Sequence, residues 1–279
     1  MKMADIKEFL TTATGTEGSL LIEKKIYDIL VEAVEKKRIG RELAAIYIGP
    51  AGIPGSSVDI DLVTADSMAV ATIAEGAAVP IETVNYTSTN LKPVKYGVRP
   101  LITKEMQEDG KWDLMEHNIK IAGTEMGENE DGLIVTALAS AANTITGAEA
   151  ITLSNISRAM QYLEDSDYTA TDIICGPEVA NDFRNIDIFQ KPSETPEMMR
   201  TGFIGTIFGC AVHVVSANIL TSTYCYMLDR NHAFAIAEKR PVSVERYDDV
   251  THDLSGAVVT QRITVKIIRT SAVCLITTT

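Results

Sequence analysis

Residues 58–100 constrain the fold most, because their pattern predicts strands that nothing in the neighbouring sequence can cover. Val58–Val63 alternate apolar and acidic residues, and Val94–Pro100 alternate apolar and basic ones. Such alternation is typical of strands with one solvent-facing side. A long stretch of small, β-branched and polar residues lies between them. Since a lone two-stranded ribbon is only marginally stable in water, we expect this arm to bury its apolar face on another copy of the chain.

Charge is segregated along the same arm. From residue 58 to residue 91 there is no lysine or arginine, and the acidic residues are Asp59, Asp61, Asp66, Glu75 and Glu82. The return leg and the residues after it then carry Lys92, Lys95, Arg99 and Lys104. Two interpretations stay open. Either the legs of a solvated hairpin pair their own charges, or acidic and basic legs meet across subunits and fix their register and orientation.

Length and composition describe an ordinary globular protein. The 279 residues can bury a sizeable core and predict one or two domains. No apolar run approaches the roughly 20 residues that span a bilayer, and the N-terminus lacks the features of a secretion signal. We therefore expect a protein made and used in cytosol-like conditions. The net charge of −13 argues against a general nucleic-acid-binding surface, but it does not exclude a protein that encloses nucleic acid.

Periodicity predicts a mixed order of helices and strands. An amphipathic helix is expected at 20–37, and a longer one should run from Asp113 to about Ala142, ~30 residues. Three glycines in the longer helix, in a context too polar for a membrane, indicate close packing by another element or a kink. Residues 149–221 read as a small α/β unit of two helices and two buried strands, and the C-terminal region returns to strands.

The residues capable of chemistry are few. No phosphate-binding glycine loop, H-E-x-x-H or G-x-S-x-G motif is present. The cysteines lie in apolar runs without C-x-x-C spacing, which favours buried reduced thiols, although sequence alone does not exclude a disulfide; they are Cys175, Cys210, Cys225 and Cys274. We therefore predict no catalytic residues, no cofactor and no metal site.

Two alternatives involve the histidines. Cys175 could act as a nucleophile with a distant histidine, which would make the 149–221 unit a thiol-dependent α/β enzyme. His232 with Asp229, and His252 with its neighbouring aspartates, could bind a metal, although acidic turns are usually only solvated. His213 lies three residues after Cys210 in a predicted strand, where the two side chains point to opposite faces. We expect His213 to be a satisfied core or interface histidine.

Six segments of the chain form an informative series. In order they are AEGAAVP, VKYGVRPLITKEMQED, DIICGPEVANDFRNI, FIGTIFGCAVHVVSANI, YCYMLDRNHAFAIAEKRPVSVERYDD and QRITVKIIRTSAVCL. Together and in this order, they resemble the HK97-fold major capsid proteins of tailed bacterial and archaeal viruses. The first resembles an element of that family's extended loop, and the second its returning strand and the short helix before the spine helix. The third and fourth are similar to axial-domain segments, with Ala211 where proline is usual. The fifth resembles the strand, Asp turn and strand that come next, and the sixth resembles the final strands.

The resemblance implies an α+β, HK97-like capsid fold. Its parts would be an N-terminal arm and helix (1–57), an extended β-hairpin loop (58–100), a peripheral domain with a long spine helix (101–148), an axial α/β domain (149–221), and C-terminal strands shared by both domains (222–279). It also implies a structural protein without enzymatic activity. Such subunits self-assemble through pentamers and hexamers into an icosahedral shell around double-stranded DNA, without sequence-specific binding.

The extended loop is the candidate assembly interface. Its apolar residues are expected to become buried only when subunits assemble, and Glu75 and Gly76 form its most family-like pair. The full set of candidate interface residues is Val58, Ile60, Leu62, Glu75, Gly76, Lys92, Val94, Lys95, Tyr96 and Val98. The lysine–asparagine crosslink known in this family cannot be placed in the sequence.

The resemblance leaves partners and one close alternative open. Many family members begin with a scaffolding segment that a protease removes; none is evident here, so we expect a separate scaffold or none. A portal and a decoration protein are further candidate partners, and no membrane is expected. The protein would reside in the virion capsid after assembly in the host cytoplasm. The nearest alternative is an encapsulin, a nanocompartment shell that holds an enzyme cargo.

Overall fold

The computed structural model describes residues 27–34, 40–63, 70–73, 75, 78–79, 81, 83, 86–109, 114–147, 150–186, 205–249 and 251–278. Its helices are α1 (27–34), α2 (Lys104–Asp109), α3 (Leu114–Leu138), α4 (Leu153–Glu164) and α5 (Pro177–Asn185). Short 3₁₀ turns occupy Gly40–Leu43, Pro50–Gly52 and Thr270–Ala272. Helix α3 is the spine helix expected from the sequence. The N-terminal part of the predicted helix 20–37 lies outside the described residues.

One five-stranded sheet, here called the peripheral sheet, is built on a long antiparallel pair. Its strands are β1 (Ile46–Ile48), β4 (Val94–Val98), β5 (Leu101–Thr103), β11 (Phe234–Asp249) and β12 (Leu254–Ile267). The order is β1-β11-β12-β4, and β5 also pairs with β12. The β1–β11 pair is parallel, whereas β12 is antiparallel to both of its other neighbours. At its β1 edge, this sheet pairs residues that are 189 positions apart in the sequence, such as Ile46 and Ala235.

A six-stranded sheet, here called the axial sheet, forms the second layer of strands. Its members are β6 (Asn143–Thr146), β7 (Asp172–Cys175), β8 (Thr206–Ile207), β9 (Cys210–Val214), β10 (Tyr224–Leu228) and β13 (Val273–Thr277). The order is β6-β13-β10-β7-β9-β8. Helices α4 and α5 pack on one face through a core that includes Leu163 and Phe183. The α+β class is confirmed, while the five sequence-based boundaries stay a prediction.

A third, two-stranded sheet forms the base of the extended loop. It pairs β2 (Val58–Val63) with β3 (Tyr86–Leu91) in antiparallel register. The partner of the outgoing leg is thus Tyr86–Leu91 and not Val94–Val98, which belongs to the peripheral sheet. The difference arises because alternation identifies a half-buried strand without identifying its neighbour.

The spine helix is 25 residues long and contacts both sheets. Its buried face includes Ile119, Ala122 and Met126 in the first half, and Ile134 and Leu138 in the second. Leu133 and Ala137 are only half-buried. Between the two apolar parts of this face, the polar residues Glu130 and Asp131 are also buried.

One glycine of the spine helix explains how closely α1 approaches it. A Cβ atom on Gly123 would lie 2.8 Å from Ala33 Cβ and 3.0 Å from the carbonyl oxygen of Leu30. Both distances are shorter than normal van der Waals contact, so only glycine allows this approach. The close-packing interpretation of the glycines therefore holds at this position, whereas Gly132 has no atom within 4 Å of an added Cβ.

Two parts of the sheets have irregular strands. Strands β8 and β9 form a hairpin, whose turn residues Phe208 and Gly209 both have positive φ. Strand β11 continues through Pro241 as a single strand. Register shifts around Arg240 accommodate Pro241, because a bulge takes up a residue that cannot donate to the ladder.

Candidate assembly surface

The base of the extended loop is anchored to the outer face of the peripheral sheet, the face opposite the spine helix. Val58 and Ile60 pack there in a cluster with Leu91, Ala235 and Ala237. These contacts correct the expectation that both apolar side chains are buried only on assembly. The sequence does not reveal them because Ala235 and Ala237, the covering residues of the sheet, lie more than 170 positions later.

A lysine also fixes the chain just before this loop. Lys239 Nζ donates hydrogen bonds to the carbonyl oxygens of Ile53, at 2.7 Å, and Gly55, at 2.6 Å. Hydrogen bonds from a charged group are stronger than neutral ones. The direction in which β2 leaves the body is therefore set by the subunit itself.

Tyr96 and Val98 are also covered within the subunit. Strand β4 pairs with β12, and both side chains pack in the core between the peripheral sheet and the spine helix. For these two residues, as for Val58 and Ile60, folding of the subunit already buries part of the side chain, and their role in the assembly interface stays a prediction. Val94 remains 53% exposed, and Leu62 is half-buried.

Other candidate residues stay exposed in the subunit and available for a partner. Lys92, Lys95 and Glu75 are exposed, and Gly76 lies outside the described residues. Apolar side chains of the loop project into solvent: Val70 is 99% exposed, Ile81 93% and Val79 71%. Exposure of several large apolar side chains on one segment is a mark of an interaction site. Their role as an assembly interface stays a prediction.

A buried polar network lies at the centre of the peripheral sheet and was not predicted. Arg41 contacts Glu130 of the spine helix, with Nε–Oε1 at 2.7 Å and Nη2–Oε2 at 2.9 Å. The same guanidinium contacts Glu238 at 3.1 Å, and Gln261 Nε2 donates to both carboxylates. The Tyr47 hydroxyl donates a hydrogen bond to the Glu238 carboxylate. Four separate chain segments are thereby joined at one point.

This network sets the protonation of its members. Burial by itself would raise the pKa of Glu238, but hydrogen bonds from Tyr47, Gln261 and Arg41 outweigh burial and lower the pKa of this carboxyl. Burial and the hydrogen bond to Glu238 raise the pKa of Tyr47 to about 12. The hydrogen bonds to Glu130 and Glu238 raise the pKa of Arg41 despite its burial. Glu238 is therefore ionised and Tyr47 protonated at neutral pH.

The axial sheet carries the four cysteines on its α4–α5 face. All are buried and none forms a disulfide, as the sequence interpretation expected. Burial raises the pKa of Cys175 to about 12 and that of Cys274 to about 11. A thiol with such a pKa stays protonated at neutral pH and is a poor nucleophile. The arrangement gives no support to the thiol-enzyme alternative.

The histidines have aspartate partners. His213 Nε2 lies 3.0 Å from Asp172 Oδ1 on the face opposite Cys210, which confirms a satisfied histidine. His232 and His252 contact Asp229 and Asp249, each at 2.8 Å. Within the described ranges, no group of three histidine, cysteine or acidic side chains has a geometry able to hold a metal ion.

Comparison with protein families identifies the chain. A family model described as "Phage capsid protein" matches residues 85–275, which include β3 to β13 almost completely. The chain belongs to the phage capsid protein family. This capsid protein has no match among curated proteins. None of the helices in the described part of the chain is long and apolar enough to cross a membrane.

Solved structures share the fold of this capsid protein at low sequence identity. A Mycobacterium phage Che8 chain is 17% identical with a TM-score of 0.65, covering 80% of this chain and 84% of that one. A chain of the mature capsid of bacteriophage PhiM1 is 10% identical with a TM-score of 0.68, and the match covers 87% of each chain. A virus-like particle from Pyrococcus furiosus is 13% identical with a TM-score of 0.62, and the match covers 91% of this chain and 99% of that one. The HK97-like fold expected from the sequence is confirmed.

Proposed function

We propose that this capsid protein self-assembles through pentamers and hexamers into an icosahedral shell that encloses double-stranded DNA. The family match over residues 85–275 carries the proposal, because it covers the spine helix and nearly all of both sheets, with β1 outside it. Support comes from the extended loop, whose root is fixed to its own subunit while its apolar outer residues face solvent.

Hydrophobic burial is the proposed driving force. Apolar surface removed from water contributes about 25 cal/mol per Å², so a contact of several hundred Å² is worth several kcal/mol. A closed shell repeats each contact around every subunit, and the contributions add because no subunit leaves without breaking several of them. Val70, Val79, Ile81 and Tyr86 are the most exposed large apolar residues in the described part of the loop, so they have the most surface to bury.

The proposed relation to DNA is enclosure without sequence recognition. A net charge of −13 disfavours a surface that grips phosphates throughout. We place the protein in the virion after assembly in the host cytoplasm. A portal, a separate scaffold and a decoration protein are the proposed accessory partners.

A nanocompartment shell is the second candidate, because the virus-like particle from Pyrococcus furiosus is matched over 99% of its chain. At 13% identity this likeness concerns the fold alone. The family match favours the capsid.

Particle purification tests both candidates. The protein is expressed alone and with the neighbouring genes of its source, and products are separated by size-exclusion chromatography and imaged by electron microscopy. We expect megadalton shells, and nuclease-protected DNA in particles from the complete set. Particles that contain a co-purifying enzyme and no DNA would establish the nanocompartment. A soluble monomer at all concentrations in both preparations would overturn the proposal.

A further inference from the structure

Three basic residues lie directly opposite one another across the peripheral sheet. Arg262 on β12 is the register partner of Arg240 on β11 and of Lys95 on β4. We call these three residues the basic row. Directly opposed side chains have Cβ atoms roughly 5 Å apart, and like charges in such positions destabilise a sheet. The basic row therefore costs the isolated subunit stability.

The basic row lies on the outer face of the sheet. Successive side chains of a strand point to opposite faces, and the residues adjacent to the row, Tyr96 and Gln261, face the spine helix. The same outer face carries Lys266 two rows from Arg262 in one direction. In the other direction, the next acidic residue of β11 on this face is Glu245, also two rows away. A basic surface is thus concentrated here in a chain of strongly negative net charge.

Contacts within the subunit leave the positive charge of the row unbalanced. Arg262 Nη2 donates a long hydrogen bond, 3.4 Å, to the carbonyl oxygen of Pro93. Arg240 Nε is buried and has no hydrogen-bond partner. In the part of the chain that the structure describes, the lysines and arginines that pair with carboxylates are Arg41, Lys104, Lys120 and Arg246, none of which belongs to the basic row. Among the described residues, neither arginine has the carboxylate partner that a partly buried guanidinium normally has.

The subunit's own loop strand does not supply that carboxylate. Val58 and Ile60 point toward the sheet. Because successive side chains of a strand alternate between its two faces, Asp59 and Asp61 point away from the sheet. Asp59 instead accepts a hydrogen bond of 2.6 Å from Asn90 Nδ2. Asp59 and Asp61 are therefore exposed on the side of the hairpin that faces away from the subunit's own sheet.

We propose that the basic row receives the acidic extended loop of a second copy of this chain. The inference rests on the proposed function, and it names the surface that accepts the loop. The segment 58–91 contains five acidic residues and no basic one, and it carries the exposed Val70, Val79 and Ile81. Charge complementarity of this kind fixes orientation and speeds encounter more than it adds affinity. Docking also removes the repulsion within the row, so the folded subunit is poised to assemble.

Charge reversal on both partners tests this assignment. The row variant carries Lys95→Glu and Arg262→Glu, and the loop variant carries Asp66→Lys, Glu75→Lys and Glu82→Lys. A third chain combines both sets, which restores complementarity between identical copies. Arg158→Glu reverses an exposed arginine on α4 and is the matched control. Circular dichroism of each subunit monitors folding, and Lys95→Glu alone replaces the row variant if Arg262→Glu prevents folding.

We expect the row variant and the loop variant each to lose the shell peak in chromatography, the combined chain to regain it, and the control to keep it. Normal shell yield from either single set, or no recovery in the combined chain, would overturn the inference. The inference would also be overturned if the row variant formed shells in normal yield that had lost their DNA, because the basic row would then bind phosphates and not the loop. Absence of shells from the unaltered protein is a different result, because it overturns the proposed function itself.

Discussion

Arg41 and Glu130 form a bidentate ion pair between positions 89 residues apart, at 2.7 and 2.9 Å. The carboxylate is fully buried, and the guanidinium also contacts the buried Glu238. One cation thus serves two carboxylates, with Gln261 bridging them. The pair fixes the spine helix against the peripheral sheet, from which the extended loop emerges.

Removal of the guanidinium should destabilise the subunit strongly. We expect Arg41→Ala to lower the free energy of unfolding by about 3–5 kcal/mol, because two buried carboxylates lose their counter-charge. Urea denaturation of unassembled subunits measures the change. Arg158→Ala, which removes an exposed arginine that contacts only Tyr162 among the described residues, should change it by less than about 1 kcal/mol. Equal effects of the two substitutions would contradict this role for the network.

The network also predicts acid sensitivity. Because the folded-state pKa of Glu238 is lowered, its contribution to stability is present above its ordinary value of 4.5 and is lost as pH falls through the folded-state pKa. The unfolding free energy of the native chain should therefore decrease below about pH 4.5. In Glu238→Gln this decrease should be shallower, as measured by urea denaturation between pH 3 and 6. Parallel pH profiles for the two proteins would exclude Glu238 as a contributor.

Two glycines of the spine helix should respond in opposite directions to alanine. Gly123→Ala places a methyl group 2.8 Å from Ala33 Cβ and should destabilise by about 1–3 kcal/mol. Gly132→Ala meets no atom within 4 Å and should stabilise by up to about 1 kcal/mol through helix propensity. Thermal denaturation of the two variants measures the difference. If Gly123→Ala is as stable as Gly132→Ala, α1 does not pack as described.

The exposed loop residues should matter for assembly and not for folding. Replacement of Val79 and Ile81 by serine should leave subunit stability within about 0.5 kcal/mol, because neither side chain is covered in the subunit. Shell yield should nevertheless fall, as read by analytical ultracentrifugation. Met106→Ser, on the short helix α2, removes an apolar side chain that is 53% exposed outside the loop and serves as the control. If the double variant still forms shells in normal yield, these loop residues are not part of the assembly interface.

Thiol labelling examines the axial core. A disulfide reagent should react with none of the four cysteines in the native subunit at pH 8, because all are buried and the pKa of Cys175 is raised to about 12. After denaturation all four should react. Rapid labelling of Cys175 in the native protein would reopen the thiol-enzyme alternative.

Much of the local structure could be predicted from the sequence. The helix beginning at Pro177 and the buried strand before it follow from local signals, a proline at the first helical position and an apolar run bounded by glycine. The loop was also recognised as unusual from its alternation and segregated charge. These features depend on residues close together in the chain, so a single sequence displays them.

Part of the candidate assembly surface depends on residues that are far apart in the sequence, which local patterns do not identify. Lys92 and Lys95 were singled out from charge, but Arg240 and Arg262 were not, since only strand register places them beside Lys95. The burial of Tyr96 within the subunit was likewise missed, because its partners come from the spine helix and from β12.

The sequence by itself determined the class of elements, the family resemblance and the outward acidic loop, because each depends on spacing between near neighbours. Only the tertiary structure decided which strands pair, which apolar residues are satisfied in the subunit and which cations are left without a carboxylate. The physical reason is that side-chain periodicity reports whether a residue is covered, whereas the identity of the covering group is set by long-range packing and register.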